Sequence, residues 1–232
     1  LDESCVRPHN TLAPFRWDHP LTRLVTQAGR LERLRGTTGG SDLRWISGYV
    51  STKAPASPPL WWHQDWWCWE HPRTYEPSPP QVAVLCYLSR TDPANGALRV
   101  IPGSHRQSHP LHAVLPQAHA EATHGLDESH PALQEARDQL TLALKAGDAV
   151  ALDYRLLHGT HANRSAVRRD CLVANFAPSW TTLPDDIQAH LVRHPCLPTS
   201  TEDPPPGLFP TYTGIPRDLA LHRHAPASFR IG

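Results

Sequence analysis

The sequence has 232 residues, 39% of them hydrophobic, and its 22 Lys plus Arg balance 22 Asp plus Glu. This apolar content suffices to bury a core and excludes intrinsic disorder, and the length fits a single domain spanning 1–232. The charge balance gives no basis for binding nucleic acid or an anionic membrane surface, and no apolar run approaches the roughly 18 residues that cross a bilayer.

The N-terminal part is predicted to form one helix followed by strands. Leu21–Arg35 carries apolar residues at helical spacing, which predicts an amphipathic helix ended by the turn-forming residues Gly36–Ser41. Asp42–Ser51 and the aromatic-rich Leu60–Trp69 are predicted strands, separated by a proline-rich loop.

Further short strands are predicted along the middle of the chain. They are Gln81–Ser89, Ala97–Ile101, Leu140–Leu144, Ala149–Tyr154 and Asp170–Ala177. A short helix is expected near Pro131–Asp138, and the Pro-rich residues 178–232 are expected to form loops that could act as a lid. This pattern predicts a mainly β domain, with a sandwich or barrel core over 42–177 and flanking helical additions.

The cysteines and the first residues bear on the compartment. Five cysteines are scattered through the chain without a CxxC pair, so neither a disulfide framework nor a structural zinc site is predicted. The chain does not open with a basic region followed by an apolar stretch, as a signal peptide would. We therefore expect a cytoplasmic protein.

One pair of side chains has the spacing of metal ligands. His63 and Asp65 lie two residues apart on a predicted strand, so both point to the same face, about 6–7 Å apart along the chain. His158, in the segment LDYRLLHGTHANRS, is the best candidate for a third ligand. Two histidines and one carboxylate on one face of a metal leave three positions open, as in iron(II) oxygenases. An HxD tripeptide is common by chance in a chain with 16 histidines, so the spacing alone does not establish a metal site.

Three segments in order closely resemble the phytanoyl-CoA dioxygenase family of iron(II)/2-oxoglutarate oxygenases. They are WHQDWW, NGALRVIPGSHR and AGDAVALDYRLLHGTHANRSAVRR, and the resemblance runs from about Trp45 to Trp180. It implies a double-stranded β-helix (jelly roll) fold. It also implies that His63, Asp65 and His158 hold Fe(II), with 2-oxoglutarate and O2 as co-substrates.

The resemblance also implies residues for 2-oxoglutarate. The family's arginine lies eleven positions after the distal histidine, which is Arg169 here, and Thr160 matches a hydroxyl that supports the same carboxylate. A guanidinium can grip a carboxylate with two charge-assisted hydrogen bonds. Arg168 is the weaker alternative because it would face the opposite side of the strand. Lys53 or Tyr49 could supply a further contact from the region before the HxD motif.

Aromatic side chains beside the HxD motif are candidates for contacting the substrate. By strand alternation, Trp61, Trp67 and Trp69 share the inward face with the ligands. Core packing is an equal explanation for Trp67 and Trp69 and the favoured one for Trp61. The resemblance places His105 of the PGSH segment near the pocket, but this segment forms a turn first, and a structural role is favoured.

The expected function is oxidation of an unactivated C–H bond in a small organic molecule, with natural-product metabolism placed first. The same iron centre could instead catalyse desaturation, cyclisation or epimerisation. From another class, a non-catalytic metal-binding jelly-roll sensor would carry a broken triad or lack the arginine, and neither is seen. A zinc hydrolase would lack an obvious general base beside HxD. The carboxylate of Asp65 disfavours a halogenase, because chlorinating relatives carry a small residue there.

Overall fold

The computed structural model describes residues 6–7, 10–14, 26–118, 123, 125–195, 197 and 207–232. Within them the chain forms ten strands and two α-helices. The strands are β1 (Val6–Arg7), β2 (Asn10–Pro14), β3 (Arg44–Lys53), β4 (Leu60–His63), β5 (Val82–Tyr87), β6 (Leu98–Val100), β7 (Leu140–Leu142), β8 (Ala149–Asp153), β9 (His158–Thr160) and β10 (Arg169–Ala177), and the helices are α1 (Ala28–Thr38) and α2 (Asp185–Leu191). Short 3-10 helices lie at Pro72–Tyr75, Pro110–Ala113 and Trp180–Thr182.

Two antiparallel sheets form the predicted jelly roll. The larger sheet has the order β1-β2-β3-β10-β5-β8 and the smaller one β4-β9-β6-β7. From β3 to β6, and again from β7 to β10, consecutive strands alternate between the two sheets, so each sheet is assembled from distant parts of the chain. β2 pairs with β3, and therefore the predicted core range 42–177 omitted two strands of the larger sheet.

Apolar side chains fill the space between the sheets and cover both outer faces. The largest core cluster includes Leu98 and Val100 of the smaller sheet together with Cys171 and Val173 of the larger one. Leu34 of α1 packs with Trp45, Leu172 and Phe176 on the other face of β3 and β10. A third cluster, on the outer side of the smaller sheet, contains Trp62, Ile101, Leu115, Ala132 and Leu157.

The first predicted helix exists but ends later than expected. Residues 21–25 of the predicted Leu21–Arg35 lie outside the described residues, and α1 continues to Thr38, so Gly36–Thr38 is helical rather than a turn. The helix ends at Gly39, whose φ of 67° is in the left-handed region that a glycine adopts without steric cost.

Three other expectations were wrong in detail. The strand predicted over Leu60–Trp69 ends at His63, because the backbone N–H of Trp66 donates to the Tyr154 carbonyl instead of continuing along β9. Pro131–Asp138 forms turns instead of a helix. The segment predicted as C-terminal loops contains α2, which buries Ile187 and Leu191 and carries Asp185 and Asp186 in its first turn, where acidic residues favour a helix.

None of the helices formed by the described residues has the length and apolar character needed to cross a membrane.

Candidate active site

The three predicted ligands meet at the smaller sheet. β4 and β9 are neighbours, and His63 lies directly opposite His158 in their register, which brings the two rings to 4.2 Å between centroids. Asp65 follows two residues after the end of β4. Its two oxygens lie 3.7 Å from His63 Nε2 and 3.6 Å from His158 Nε2.

Backbone carbonyls fix the orientation of both imidazoles. His63 Nδ1 lies 2.9 Å from the carbonyl oxygen of Trp61, and His158 Nδ1 lies 3.0 Å from that of Leu156. Each ring can therefore carry its proton on Nδ1 and donate it to a carbonyl, which places the lone pair on Nε2. Both Nε2 atoms then face the carboxylate of Asp65, as metal ligation requires.

The donor set fits a divalent first-row metal. One ligand atom from each of the three residues lies within 4.8 Å of the others, and the two imidazoles are buried while the carboxylate is half-buried. Ligands at right angles around such a metal, with bonds of about 2.1 Å, are about 3 Å apart, so a small inward movement would complete the site. Two histidines and one carboxylate, with open positions opposite them, suit non-haem iron(II).

The larger sheet carries two buried cations on adjacent strands. Arg169 begins β10 and Lys53 ends β3, and the two are direct partners in the antiparallel register, so their side chains share a face. Arg169 is 4% exposed and Lys53 2% exposed. Burial, and then the nearby guanidinium groups of Arg169 and Arg99, lower the pKa of Lys53 to about 7.

These cations have few partners of their own. Lys53 Nζ donates to the carbonyl of Pro58 at 2.7 Å, whereas the buried Nε of Arg169 has no hydrogen-bond partner. Within the part of the chain that the structure describes, no carboxylate forms an ion pair with either residue. A buried charge without a counterion is costly, so this face of the sheet fits an anionic group such as a carboxylate.

The neighbouring arginine differs sharply from Arg169. Arg168 is exposed and forms an ion pair with Asp170 at 2.9 Å. Thr160 lies on β9 two residues after His158, so alternation gives it the same face as that ligand, and it is buried. Its hydroxyl oxygen accepts the backbone N–H of Leu60 at 3.4 Å.

The loop before β10 is tied to the end of β3 at Lys53. The Asn163 amide donates to the carbonyls of Lys53 at 3.2 Å and Val167 at 2.8 Å. Gly96, with a φ of 92°, leaves the room that the Lys53 side chain occupies, because a Cβ there would overlap Lys53 Cδ. Both residues lie in segments that resemble the family, Gly96 in NGALRVIPGSHR and Asn163 in AGDAVALDYRLLHGTHANRSAVRR.

Trp61 is the predicted substrate residue that borders open space. It lines a cavity of about 700 Å³ together with Arg99, Glu135 and His161, and its ring centroid lies 6.1 Å from that of His63. The cavity is not lined by the three metal ligands themselves. Trp61 thus lies between the cavity and the candidate metal centre.

The other predicted substrate residues lie against protein. Trp67 donates to Gln81 at 2.7 Å and packs against His190, and Trp69 packs against Phe229. Because the chain leaves the strand after His63, alternation did not determine their faces as the sequence argument assumed. His105 is half-buried near Asp153 and Arg155, and burial lowers its pKa.

Tyr87 lies in the site although sequence reasoning did not single it out. It ends β5, next to β10 in the larger sheet, and its ring lies 5.5 Å from the guanidinium carbon of Arg169. The available signal was the alternation of Gln81–Ser89, which assigns Tyr87 to one of the two faces of its strand. Alternation does not reveal that β10 is the neighbouring strand.

Comparison with known proteins agrees with this geometry. The family model "Phytanoyl-CoA dioxygenase (PhyH)" matches residues 2–171. A probable alpha-ketoglutarate-dependent hypophosphite dioxygenase of Stutzerimonas stutzeri is 28% identical over 62% of this chain and 49% of its own length. An ectoine dioxygenase of Nocardia farcinica is 28% identical over 75% of this chain and 62% of its own length. The chain therefore spans about half to three-fifths of these relatives.

Solved structures share the fold. HygX from Streptomyces hygroscopicus, with nickel and 2-oxoglutarate bound, superposes with a TM-score of 0.54 at 21% identity, covering 75% of this chain and 71% of HygX. A second HygX structure, which also contains hygromycin B, gives a TM-score of 0.52 over 74% of this chain and 70% of HygX, again at 21% identity.

Proposed function

The chain belongs to the phytanoyl-CoA dioxygenase family, and we propose that it is a non-haem iron(II) oxygenase that uses 2-oxoglutarate and O2 to oxidise a C–H bond of a small organic molecule. One observation carries the proposal: a cluster of two histidines and one carboxylate occurs together with a buried pair of cations that lack a carboxylate partner. A metal-binding sensor requires only the first feature. An oxygenase that binds a dicarboxylate requires both.

The two sheets would hold the cofactor system between them, with Thr160 of the smaller sheet facing the cations of the larger one. His63, Asp65 and His158 would occupy one face of the iron, and Arg169 and Lys53, with Thr160, would bind the distal carboxylate of 2-oxoglutarate. When bound, iron and its co-substrates supply the oxidising chemistry that no side chain provides. The chain's own residues then orient the co-substrate by charge and keep the ligand imidazoles in the metal-binding tautomer.

The substrate is proposed to be a small molecule that enters beside Trp61. The cavity of about 700 Å³ lies within the range of pockets that bind drug-sized ligands, and Trp61 connects it to His63. The relatives' names point to small substrates as well, namely ectoine and hypophosphite. Trp67 and Trp69 do not line this cavity, and their contact with substrate stays a prediction. We take residues 1–232 as one catalytic domain in this proposal.

Anaerobic titration tests the cofactor assignment. Apoprotein is titrated with Fe(II) and then with 2-oxoglutarate, and the weak visible charge-transfer band of the iron chelate is recorded. We expect the band in the unmodified protein, its loss in His158→Ala, and a much higher 2-oxoglutarate requirement in Arg169→Ala. Arg168→Ala is the matched control, because that adjacent arginine is exposed and paired with Asp170. Iron binding without a band would refute the use of 2-oxoglutarate and favour a sensor or a hydrolase.

Product analysis separates the reaction outcomes once a substrate turns over. Hydroxylation adds one oxygen to the product mass, desaturation or cyclisation removes two hydrogens, and epimerisation leaves the mass unchanged. We expect the added oxygen. Turnover of 2-oxoglutarate to succinate in His63→Ala or Asp65→Ala at the rate of the unmodified protein would show that the metal assignment is wrong.

A further inference from the structure

Three adjacent strands of the larger sheet present polar side chains to the same inner face. In the order β3-β10-β5, these are Lys53, Arg169 and Tyr87. Lys53 is the direct partner of Arg169, while Tyr87 is the partner of Cys171, two residues further along β10. Because residues two apart on a strand share a face, Tyr87 flanks Arg169 on the side opposite to Lys53.

The phenol ring supports the guanidinium directly. The guanidinium carbon of Arg169 lies 5.5 Å from the ring centroid, within the range of a cation–π contact. Such a contact restricts a side chain that the described residues provide with no ion-pair partner. Tyr87 can thus hold the planar donor group of Arg169 in one orientation before any ligand arrives.

The hydroxyl of Tyr87 is a buried donor without a protein acceptor. The residue is 1% exposed, and its oxygen has no hydrogen-bond partner. Burial raises the pKa of this phenol well above its ordinary value, so the group remains protonated and available to donate. An unsatisfied buried hydroxyl is costly in a native protein and calls for a ligand or a water as its partner.

We propose that Tyr87 is a specificity residue for the co-substrate, whose hydroxyl donates to the distal carboxylate of 2-oxoglutarate while its ring positions the Arg169 guanidinium. This inference rests on the proposed function. It explains why a hydroxyl and a guanidinium nitrogen are both left without partners at neighbouring positions of one buried face. A dicarboxylate has acceptor oxygens for both donors, whereas a 2-oxo acid without the distal carboxylate has none.

Tyr87→Phe provides the test, because it removes one oxygen atom and keeps the ring under Arg169. We expect the dissociation constant of 2-oxoglutarate in the Fe(II)-loaded protein to rise about 10- to 100-fold, the usual effect of losing a hydrogen bond to a charged group. Fe(II) affinity should not change. The melting temperature without ligand should not fall, since the lost hydroxyl has no protein partner.

A matched ligand separates a carboxylate contact from general loosening of the site. 2-Oxopentanoate has a methyl group in place of the distal carboxylate, and we expect Tyr87→Phe to leave its dissociation constant unchanged. Tyr75→Phe is the control variant, because it removes a tyrosine hydroxyl that instead donates to the Trp69 carbonyl.

The outcomes distinguish this inference from the proposed function. If the unmodified protein forms no charge-transfer band, the proposed function itself fails. If the band forms and Tyr87→Phe binds 2-oxoglutarate within about twofold of the unmodified protein, only the role of Tyr87 is wrong. Equal weakening for 2-oxoglutarate and 2-oxopentanoate would also overturn it, because the effect would then not depend on the distal carboxylate.

Discussion

Lys53→Met should make the stability of the ligand-free protein less dependent on pH between about 7 and 9. Folding lowers the pKa of Lys53 from 10.5 to about 7, mainly by burial. Between these values the unfolded chain binds a proton that the folded chain has released, so the stability of the unmodified protein rises with pH. Integrating this linkage from pH 7 to pH 9 gives a gain of about 2 kcal/mol, which the methionine variant lacks.

The variant should therefore show its greatest relative stability at the lower pH. At about pH 7 and below, the unmodified protein carries the full cost of burying an ammonium beside Arg169. Methionine removes that cost but leaves the carbonyl of Pro58 without its donor, which costs about 1–3 kcal/mol at every pH. The pH-dependent difference between the two proteins is thus a cleaner quantity than the stability at any one pH.

Urea denaturation of metal-free protein at pH values of about 7, 8 and 9 measures this difference. Lys145→Met is the control, because Lys145 is the other lysine of the sequence and is exposed. We expect Lys145→Met to follow the unmodified protein at all three values. Parallel pH profiles for Lys53→Met and the unmodified protein would refute the assignment of Lys53 as a buried, desolvated cation.

Three further predictions concern the same region. Gly96→Ala should destabilise the protein and raise the dissociation constant of 2-oxoglutarate, since the new Cβ would overlap Lys53. Gly103→Ala is its control, because Gly103 has a similar φ of 84° but open space around the position of a Cβ. This control should lower the free energy of unfolding only by the backbone strain of about 1–2 kcal/mol. Asn163→Ala should lower the free energy of unfolding by about 2 kcal/mol, measured in urea, because two backbone carbonyls lose their donor; Ser165→Ala, which keeps both donors, should cost less. Chelation of the metal should lower the melting temperature of the loaded protein, and an unchanged value would argue against a tight site.

The candidate metal site was predictable from sequence because its information is largely local. His63 and Asp65 are two residues apart, and the segment around His158 carries a recognisable pattern. The inward position of Arg169 likewise follows from alternation at the start of β10, where Arg169 is buried and Arg168, just before the strand, is exposed. A prediction of this kind holds even when the predicted end of a strand is wrong. Asp65 still faces both imidazoles although β4 ends before it.

The remainder of the site depends on pairings between distant strands. Lys53 faces Arg169 because β3 and β10 pair in one particular register, and a shift of one residue would turn either side chain to the opposite face. Tyr87 reaches Arg169 only because β5 is the other neighbour of β10. A single sequence contains no register information of this kind. The faces of Trp67 and Trp69 could not be predicted for a related reason, since hydrogen bonds from the backbone N–H groups of Trp66 and Trp69 to distant carbonyls replace the strand ladder.

Because the candidate site is distributed over two sheets, 2-oxoglutarate binding depends on how the sheets pack together. The candidate metal ligands His63 and His158 belong to the smaller sheet, while Lys53, Arg169 and Tyr87 belong to the larger one, so a bound dicarboxylate would connect the two. Packing between the sheets, by residues such as Leu98 and Val173, then sets the distance that this ligand spans. A cavity created there should weaken 2-oxoglutarate binding without changing Fe(II) affinity, because each half of the site stays intact within its own sheet. Substitution of one binding residue in either sheet acts differently, since it removes one contact and leaves the distance between the sheets unchanged.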